Sequence, residues 1–430
     1  MTSPSGPDAP APHGPSCRFC GTPLRHTFVD LGMSPLCQTH IAAHQLNDME
    51  PFFPLHAQVC EHCFLVQLQE FVAPEQIFSE YAYFSSYSSS WVEHCRRYAA
   101  MAIERFGLNA SHKMMEIASN DGYLLQHFVA AGIPVLGVEP AANVAQVAIE
   151  RGVPTTVQFL GEATGAAIAA EHGQADLIAG NNVLAHVPDI NDFVKGLRAL
   201  LAPSGVLTME FPHLQRLIEG NQFDTIYHEH FSYLSFSTVE QMFAAHGLVL
   251  FDVDELPTHG GSLRIYARHA SDTAQAVHPV RQSVQDLRER EQALGYRNLD
   301  RYTGFGEQVK ATKRALLTFL IEAKDAGKTV VGYGAPGKGN TLLNYCGIRG
   351  DFLDFTTDAN PYKQGKYTPG THIPILPPAA IREAKPDYVL ILPWNLRDEI
   401  AAEAAYIREW GGRFVVPIPT VKVLDLPALN

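Results

Sequence analysis

The densest chemistry in the chain lies in Phe223-Asp224-Thr225-Ile226-Tyr227-His228-Glu229-His230-Phe231-Ser232-Tyr233, where Tyr227, His228, Glu229 and His230 set four titratable side chains in a row. Such a set suits proton transfer at carbon. A base must take a proton from a carbon acid, and donors must hold the enolate oxygen that results. A histidine with an adjusted pKa fits the first task, and a tyrosine or second histidine fits the second. The glutamate can orient an imidazole or a substrate hydroxyl. His228 and His230, at i and i+2, cannot share one helical face, which disfavours a helical metal site. His186, in Asn182-Val183-Leu184-Ala185-His186-Val187, is the other candidate acid or base, with a core or capping histidine as the alternative.

A second constellation points to metal. Of seven cysteines, four form two C-x-x-C pairs, Cys17 with Cys20 and Cys60 with Cys63. Four thiolates can close a tetrahedron around Zn2+. A closed site keeps no open coordination position, so this zinc folds its segment and does not catalyse. Cys37, His40, His56 and His62 are lesser candidates for a ligand, and a redox pair is the competing reading.

The elements that must position the Tyr-His-Glu-His set alternate in type. Lys113–Ala118, Val135–Val138, Asp176–Gly180 and Gly205–Phe211 read as strands, with helices over Tyr123–Ala131 and Asn143–Glu150. Ser237-Thr238-Val239-Glu240 reads as a capping-box start for a helix that ends near Gly247. Val249–Asp254 and Ser262–Ala267 read as a hairpin. Repeated βα units that finish in an antiparallel pair imply an open, mostly parallel sheet. Its first βα turn, Glu116-Ile117-Ala118-Ser119-Asn120-Asp121-Gly122, has one glycine and crowded acids. That disfavours a pyrophosphate and suits the cationic end of S-adenosylmethionine. Glu139 closes the next strand, where an acid accepts hydrogen bonds from both ribose hydroxyls. Tyr81-Ala82-Tyr83-Phe84-Ser85-Ser86-Tyr87-Ser88 offers rings and hydroxyls for adenine and amino-acid recognition, or else a buried seam.

After a charged helical stretch, about Ala276–Leu294, a second α/β unit begins. Thr329–Tyr333, Asp354–Thr357, Asp387–Leu392 and Arg413–Pro417 read as its strands. The first runs into Gly334-Ala335-Pro336-Gly337-Lys338-Gly339-Asn340-Thr341 and a helix, a phosphate cradle by composition, with a tight packing turn as the alternative. Asp358-Ala359-Asn360-Pro361-Tyr362-Lys363-Gln364-Gly365 follows at the next strand end, where a nucleoside would sit.

At 430 residues the chain needs two or three cores. Its formal charge of −13 argues against nucleic acid as a partner. No apolar run is long enough to span a membrane. The opening residues lack a basic start and an apolar middle, so they read as a tail and not a signal peptide, and a cytoplasmic protein is expected.

EIASNDG, GVEP, NNVLAHV, FDTIYHEHFSYLS, PTHGGSLRIY, GYGAPGKGNT and DANPYKQGKYTPGTHIPI, with the two cysteine pairs, together resemble the sugar C-methyltransferases of deoxysugar and antibiotic biosynthesis. That family includes the C-3'-methyltransferase of the tetronitrose pathway, and the resemblance runs from about Cys17 to the end. It implies a small zinc-binding N-terminal domain (1–72), a central Rossmann-like class I methyltransferase domain (73–275) and a C-terminal Rossmann-like α/β domain that binds nucleotide sugar (276–430). It implies an S-adenosylmethionine-dependent enzyme that methylates a dTDP-linked 4-keto-deoxysugar beside its ketone, at C3, through an enolate. By resemblance His230 is the base, Tyr227 and Glu229 line the sugar, and His186 and Tyr81 are further active-site residues. Tyr87, Ser88, Glu116, Asn120, Gly122, Glu139, Pro140, Asn181 and Asn182 are expected at the cofactor. His259, Lys338, Asn340, Asp358, Lys363 and Tyr367 are expected at the substrate. Gly337 stands where relatives commonly have Ala, a change that should not remove phosphate binding. A monomer is expected. The competing functions are O- or N-methylation of a nucleotide sugar, and a catalytically silent nucleotide-sugar binder.

Overall fold

A computed structural model describes residues 14–72 and 85–424. Near the N-terminus, β1 (His26–Ser34), β2 (Phe53–Val59) and β3 (Val66–Gln67) form an antiparallel meander beside the two cysteine pairs. The helix Ser89–Phe106 follows. Ser88 caps its start by accepting from the Trp91 amide, and Gly107, in the left-handed region, ends it.

The central sheet is built from β4 (Met114–Ile117), β5 (Val135–Val138), β6 (Thr155–Thr156), β7 (Ala175–Asn181) and β8 (Leu201–Pro212). Next in the chain come β9 (Ser232–Tyr233), β10 (Leu248–Leu256) and β11 (Ser262–His269). All of these except β9 join one sheet, in the order β10-β11-β8-β7-β4-β5-β6. β4 to β8 run parallel, and β11 is antiparallel to both its neighbours. β4 is buried at every position, as a strand covered on both faces must be. This is the open, mostly parallel sheet ending in an antiparallel pair that the alternating pattern implies. The covering helices Glu162–His172 and Ile190–Leu200 cross where a side chain would not fit. A Cβ at Gly165 would stand 2.7 Å from the Gly196 carbonyl oxygen.

One local expectation changes. The helix after β9 spans Phe236–Ala245 and is capped by Ser235, whose hydroxyl accepts from the Thr238 amide, and not by Ser237. Glu291, on the helix Gln282–Ala293, takes the amides of Phe236 and Ser237. A carboxylate from another helix thus replaces the local capping box. Ser232–Tyr233, where the sequence pattern implies no strand, pairs as β9 with β3 and adds a fourth strand to the N-terminal sheet.

After the helix Phe305–Asp325 come β12 (Val330–Tyr333), β13 (Thr356–Thr357), β14 (Ile375–Leu376), β15 (Tyr388–Ile391), β16 (Arg413–Val416) and β17 (Lys422–Val423). Their order is β14-β13-β12-β15-β16-β17, parallel except for β17. Among the described residues no helix is long and apolar enough to cross a membrane.

Candidate active site

A cavity of about 730 Å3 opens at the carboxyl ends of β4, β5 and β7, where α/β sheets bind ligands. Ala118, Asn120 and Gly122 carry positive φ angles of 56°, 48° and 79°, so the turn after β4 keeps a glycine-type backbone with only one glycine. Gly122 does not line the cavity. Its missing Cβ leaves room for Val153, which would otherwise be 3.0 Å away. Glu139 accepts the amides of Asn120 at 2.8 Å and Ala141 at 2.9 Å, one on each oxygen. Each oxygen keeps a second lone pair for a ligand hydroxyl. Pro140, Asn181, Asn182 and Ser88 line the same cavity. Glu116 lies fully buried below them beside Tyr123, and burial pushes its carboxyl well above the usual range. Tyr87, on the turn Ser85–Tyr87, is exposed.

Tyr227, Glu229, His230 and His186 reach the cavity from two loops. The His186 and His230 rings meet edge to face at 4.7 Å, and Tyr227 tilts over His230 at 4.0 Å. Nδ1 of His230 lies 2.8 Å from the Thr225 carbonyl. A carbonyl only accepts, so Nδ1 carries the proton and Nε2 keeps its lone pair. Burial, then the neighbouring His186, push His230 well below an ordinary histidine, so it is neutral near pH 7. Burial lowers His186 to about 4 and His259 to about 4. Burial raises Glu229 to about 7, and the Cys37 thiol donates to its Oε1 at 3.7 Å. His228 points elsewhere. It bonds the Pro54 carbonyl at 3.2 Å and meets Phe53 edge-on, tying the loop to β2. Tyr81 lies outside the described residues.

The residues expected at the substrate separate. His259 lines the cavity, edge-on to Trp91 at 5.3 Å. Lys338 stands behind it, donating to Asn395 at 2.9 Å and lying over the Trp394 ring. The rest do not line the cavity. Asn340 donates to the Cys37 carbonyl, and the Ala335 amide and Lys363 ammonium both donate to Asp358. Tyr367 exchanges backbone bonds with Ile41. An anion at the Gly334–Thr341 turn would compete with Asp358 for the Ala335 amide.

Residues beyond those read from the sequence also form the wall. Trp91 and His94 stack at 5.0 Å on the helix Ser89–Phe106. His94 and Arg264 donate to Glu210 at 2.9 and 2.6 Å. Burial opposes charge on Glu210, but these bonds overcome it and hold the acid at about 2. Gln38 and Asn395 add walls from either end of the chain. Asn395 follows an apolar strand of a parallel sheet, a placement that by itself marks a crevice position. Nothing local marks Gln38.

The Sγ atoms of Cys17, Cys20, Cys60 and Cys63 all lie within 4.8 Å of one another. The Cys17–Cys63 and Cys20–Cys60 separations are 3.5 Å, close to the roughly 3.8 Å edge of a tetrahedron with zinc–sulfur bonds of about 2.3 Å. The Gln67 amide and the His62 backbone donate to Cys17 and Cys60 sulfur, as suits thiolate acceptors. The set fits Zn2+ without Cys37, His40, His56 or His62.

Three family models match the chain: a zinc binding domain over residues 17–78, a methyltransferase domain over 91–253 and a C-methyltransferase C-terminal domain over 257–419. C-methyltransferase NovU of Streptomyces niveus is 39% identical over 412 residues, covering 95% of this chain and 96% of its own. Among solved structures, PH0226 protein of Pyrococcus horikoshii OT3 is 16% identical over 46% of this chain and 99% of its own, with a TM-score of 0.36. Magnesium protoporphyrin IX methyltransferase of Synechocystis PCC 6803, with bound S-adenosylmethionine, is 14% identical over 41% of this chain and 78% of its own, with a TM-score of 0.32. The chain therefore belongs to the S-adenosylmethionine-dependent C-methyltransferases that carry a zinc-binding N-terminal domain and a C-methyltransferase C-terminal domain.

Proposed function

We propose that the chain methylates the carbon beside the ketone of a nucleotide-linked 4-keto-deoxysugar, with dTDP as the nucleotide and C3 as the carbon. The observation that carries this reading is His230, whose Nδ1 proton is fixed on Thr225 while Nε2 keeps its lone pair in a cavity shared with Tyr227 and His186. His230 Nε2 takes the proton from carbon. The electron pair moves onto the ketone oxygen, which Tyr227 or His186 holds by hydrogen bonding. The enolate carbon then attacks the donor methyl. S-adenosylmethionine supplies that methyl on a sulfonium, a good leaving group. Glu139 receives the ribose hydroxyls, and Asn120, Asn181 and Asn182 hold the remaining polar groups. An O- or N-methylation would leave the His186–His230 pair without a carbon acid to work on.

The division at residues 72 and 275 assigns zinc, methyl transfer and nucleotide-sugar binding to successive segments. Of the residues of the last segment expected at the substrate, Lys338 stands next to the cavity through its bond to Asn395 and is the one this reading keeps for the nucleotide. A cytoplasmic setting goes with this reading, because a four-thiolate zinc site needs reduced cysteines.

His230→Ala is expected to abolish both methyl transfer and deuterium exchange at the sugar carbon in the absence of donor, while calorimetric binding of S-adenosylmethionine is kept. Full methyl transfer by that variant would dismiss His230 as the base. Mass spectrometry and carbon NMR of products from a panel of nucleotide 4-keto sugars identify the sugar and carbon.

A further inference from the structure

Arg18 lies between zinc ligands Cys17 and Cys20, yet its side chain leaves the knuckle and enters the space between the two catalytic loops. Its Nη1 donates to the Pro188 carbonyl at 3.0 Å, two residues beyond His186. Its guanidinium lies 5.3 Å above the ring of Phe231, next to His230. Its Nη2 donates to the Leu68 carbonyl, and the Leu68 amide in turn donates to the Phe231 carbonyl at 3.0 Å. The Phe231 amide donates to the Ala185 carbonyl at 2.8 Å, joining the two histidine loops directly. From the other side, the Asn191 side-chain amide donates to the carbonyls of Arg18 and Phe19 at 3.1 and 2.9 Å. β9, which begins two residues after His230, is itself a strand of the zinc-side sheet.

We infer that Arg18 is a positioning residue for methyl transfer: the zinc knuckle, through Arg18 and Phe231, sets the spacing of the His186–His230 pair. Only arginine has the shape for this task. Its planar fork serves two carbonyls on different loops while its face covers a ring, and lysine's point charge cannot do both. The zinc then reaches the reaction mechanically, by fixing where the fork starts. The inference uses the proton-abstraction role proposed for His230, and its test includes a measurement that needs no sugar.

The test compares Arg18→Met, Arg18→Lys and Phe231→Leu with the unaltered holoenzyme. Arg18→Met is expected to keep its zinc content, its KM for S-adenosylmethionine and its KM for a 4-keto nucleotide sugar within about twofold. Its kcat and its donor-free deuterium exchange should fall together by on the order of ten- to a hundredfold, since about 1 Å of misplacement is enough for a loss of that size. Arg18→Lys should recover only part of the loss. In selectively labelled, substrate-free protein, the imidazole resonances of His186 and His230 should shift in both Arg18 variants. That arm reports loop geometry whatever the substrate is, so a wild-type enzyme that turns over no 4-keto sugar would defeat the functional reading alone. Unchanged kcat, exchange and imidazole resonances in a zinc-replete Arg18→Met protein would overturn the inference. If Arg18→Met loses zinc, Phe231→Leu decides, because it leaves the knuckle intact: lowered kcat and shifted imidazole resonances support the inference, and wild-type behaviour refutes it.

Discussion

Glu229 is buried, and among the described residues the Cys37 thiol donates to it. Burial therefore holds its proton until about pH 7. The protonated acid is a donor, suited to an oxygen that gains charge, and the ionised form is not. Raising pH through this value removes the donor, so kcat/KM should fall with an inflection near 7. Glu229→Gln keeps a neutral donor at the same place. Its profile is expected to lose that inflection while retaining measurable activity. If the inflection persists in Glu229→Gln, another group titrates there. His230 contributes no limb in this range, because burial and His186 place its titration well below the ordinary histidine value. Its neighbour His228, of the same type, serves the fold by binding the Pro54 carbonyl.

Among the elements, the helix Phe236–Ala245 shows how a local signal is overridden. Ser235 and Ser237 both precede plausible helical residues, but only Ser235 accepts from the amide three residues on. Glu291 satisfies the amides of Phe236 and Ser237 and also bonds buried His213 at 2.8 Å. Ser235→Ala should therefore cost about 1 kcal/mol in urea unfolding, the usual value of a lost cap, and Ser237→Ala clearly less. Equal losses would return the cap to Ser237. The strand β9 shows the converse, an element with no local signal at all. Its two residues carry no alternating pattern of their own, and their pairing with β3 is decided by how the Tyr227–His230 loop lies on the zinc-side sheet.

At the scale of the molecule, the cores are pooled. One packs Phe28, Leu55 and Val66 of the first sheet with Phe223 and with Val330 and Leu342 of the last unit. Another packs Cys17, Cys60 and Leu65 with Met115, Ile178 and Val239 of the central unit. The zinc-side segment shares apolar surface with both, its strands with the first and its cysteine knuckles with the second, so it has no separate core to lose. Removing zinc with a chelator should lower the midpoint of one cooperative thermal transition, and methyl transfer should disappear with the metal. Two resolved transitions, the first confined to the zinc-side segment, would show that the cores are independent.

Much of this was written locally. The buried runs at β4, β5 and β7, the acid at Glu139, the two cysteine pairs and the Tyr-His-Glu-His cluster depend on residues adjacent in the chain, where side-chain period and turn chemistry act. Sequence by itself therefore determined the fold class, the four-cysteine cluster and the loop that reaches the cavity. It could not divide labour within that loop, because whether a histidine faces a cavity or a carbonyl of β2 depends on the docking of separate sheets. Tertiary structure alone decided that His228 turns away, that Cys37 and Gln38 reach the site, and that Asp358 already occupies the Ala335 amide. It also placed Arg18 between the two histidine loops. Each of these joins residues far apart in the chain, and such contacts follow from packing the sheets together, not from any local pattern.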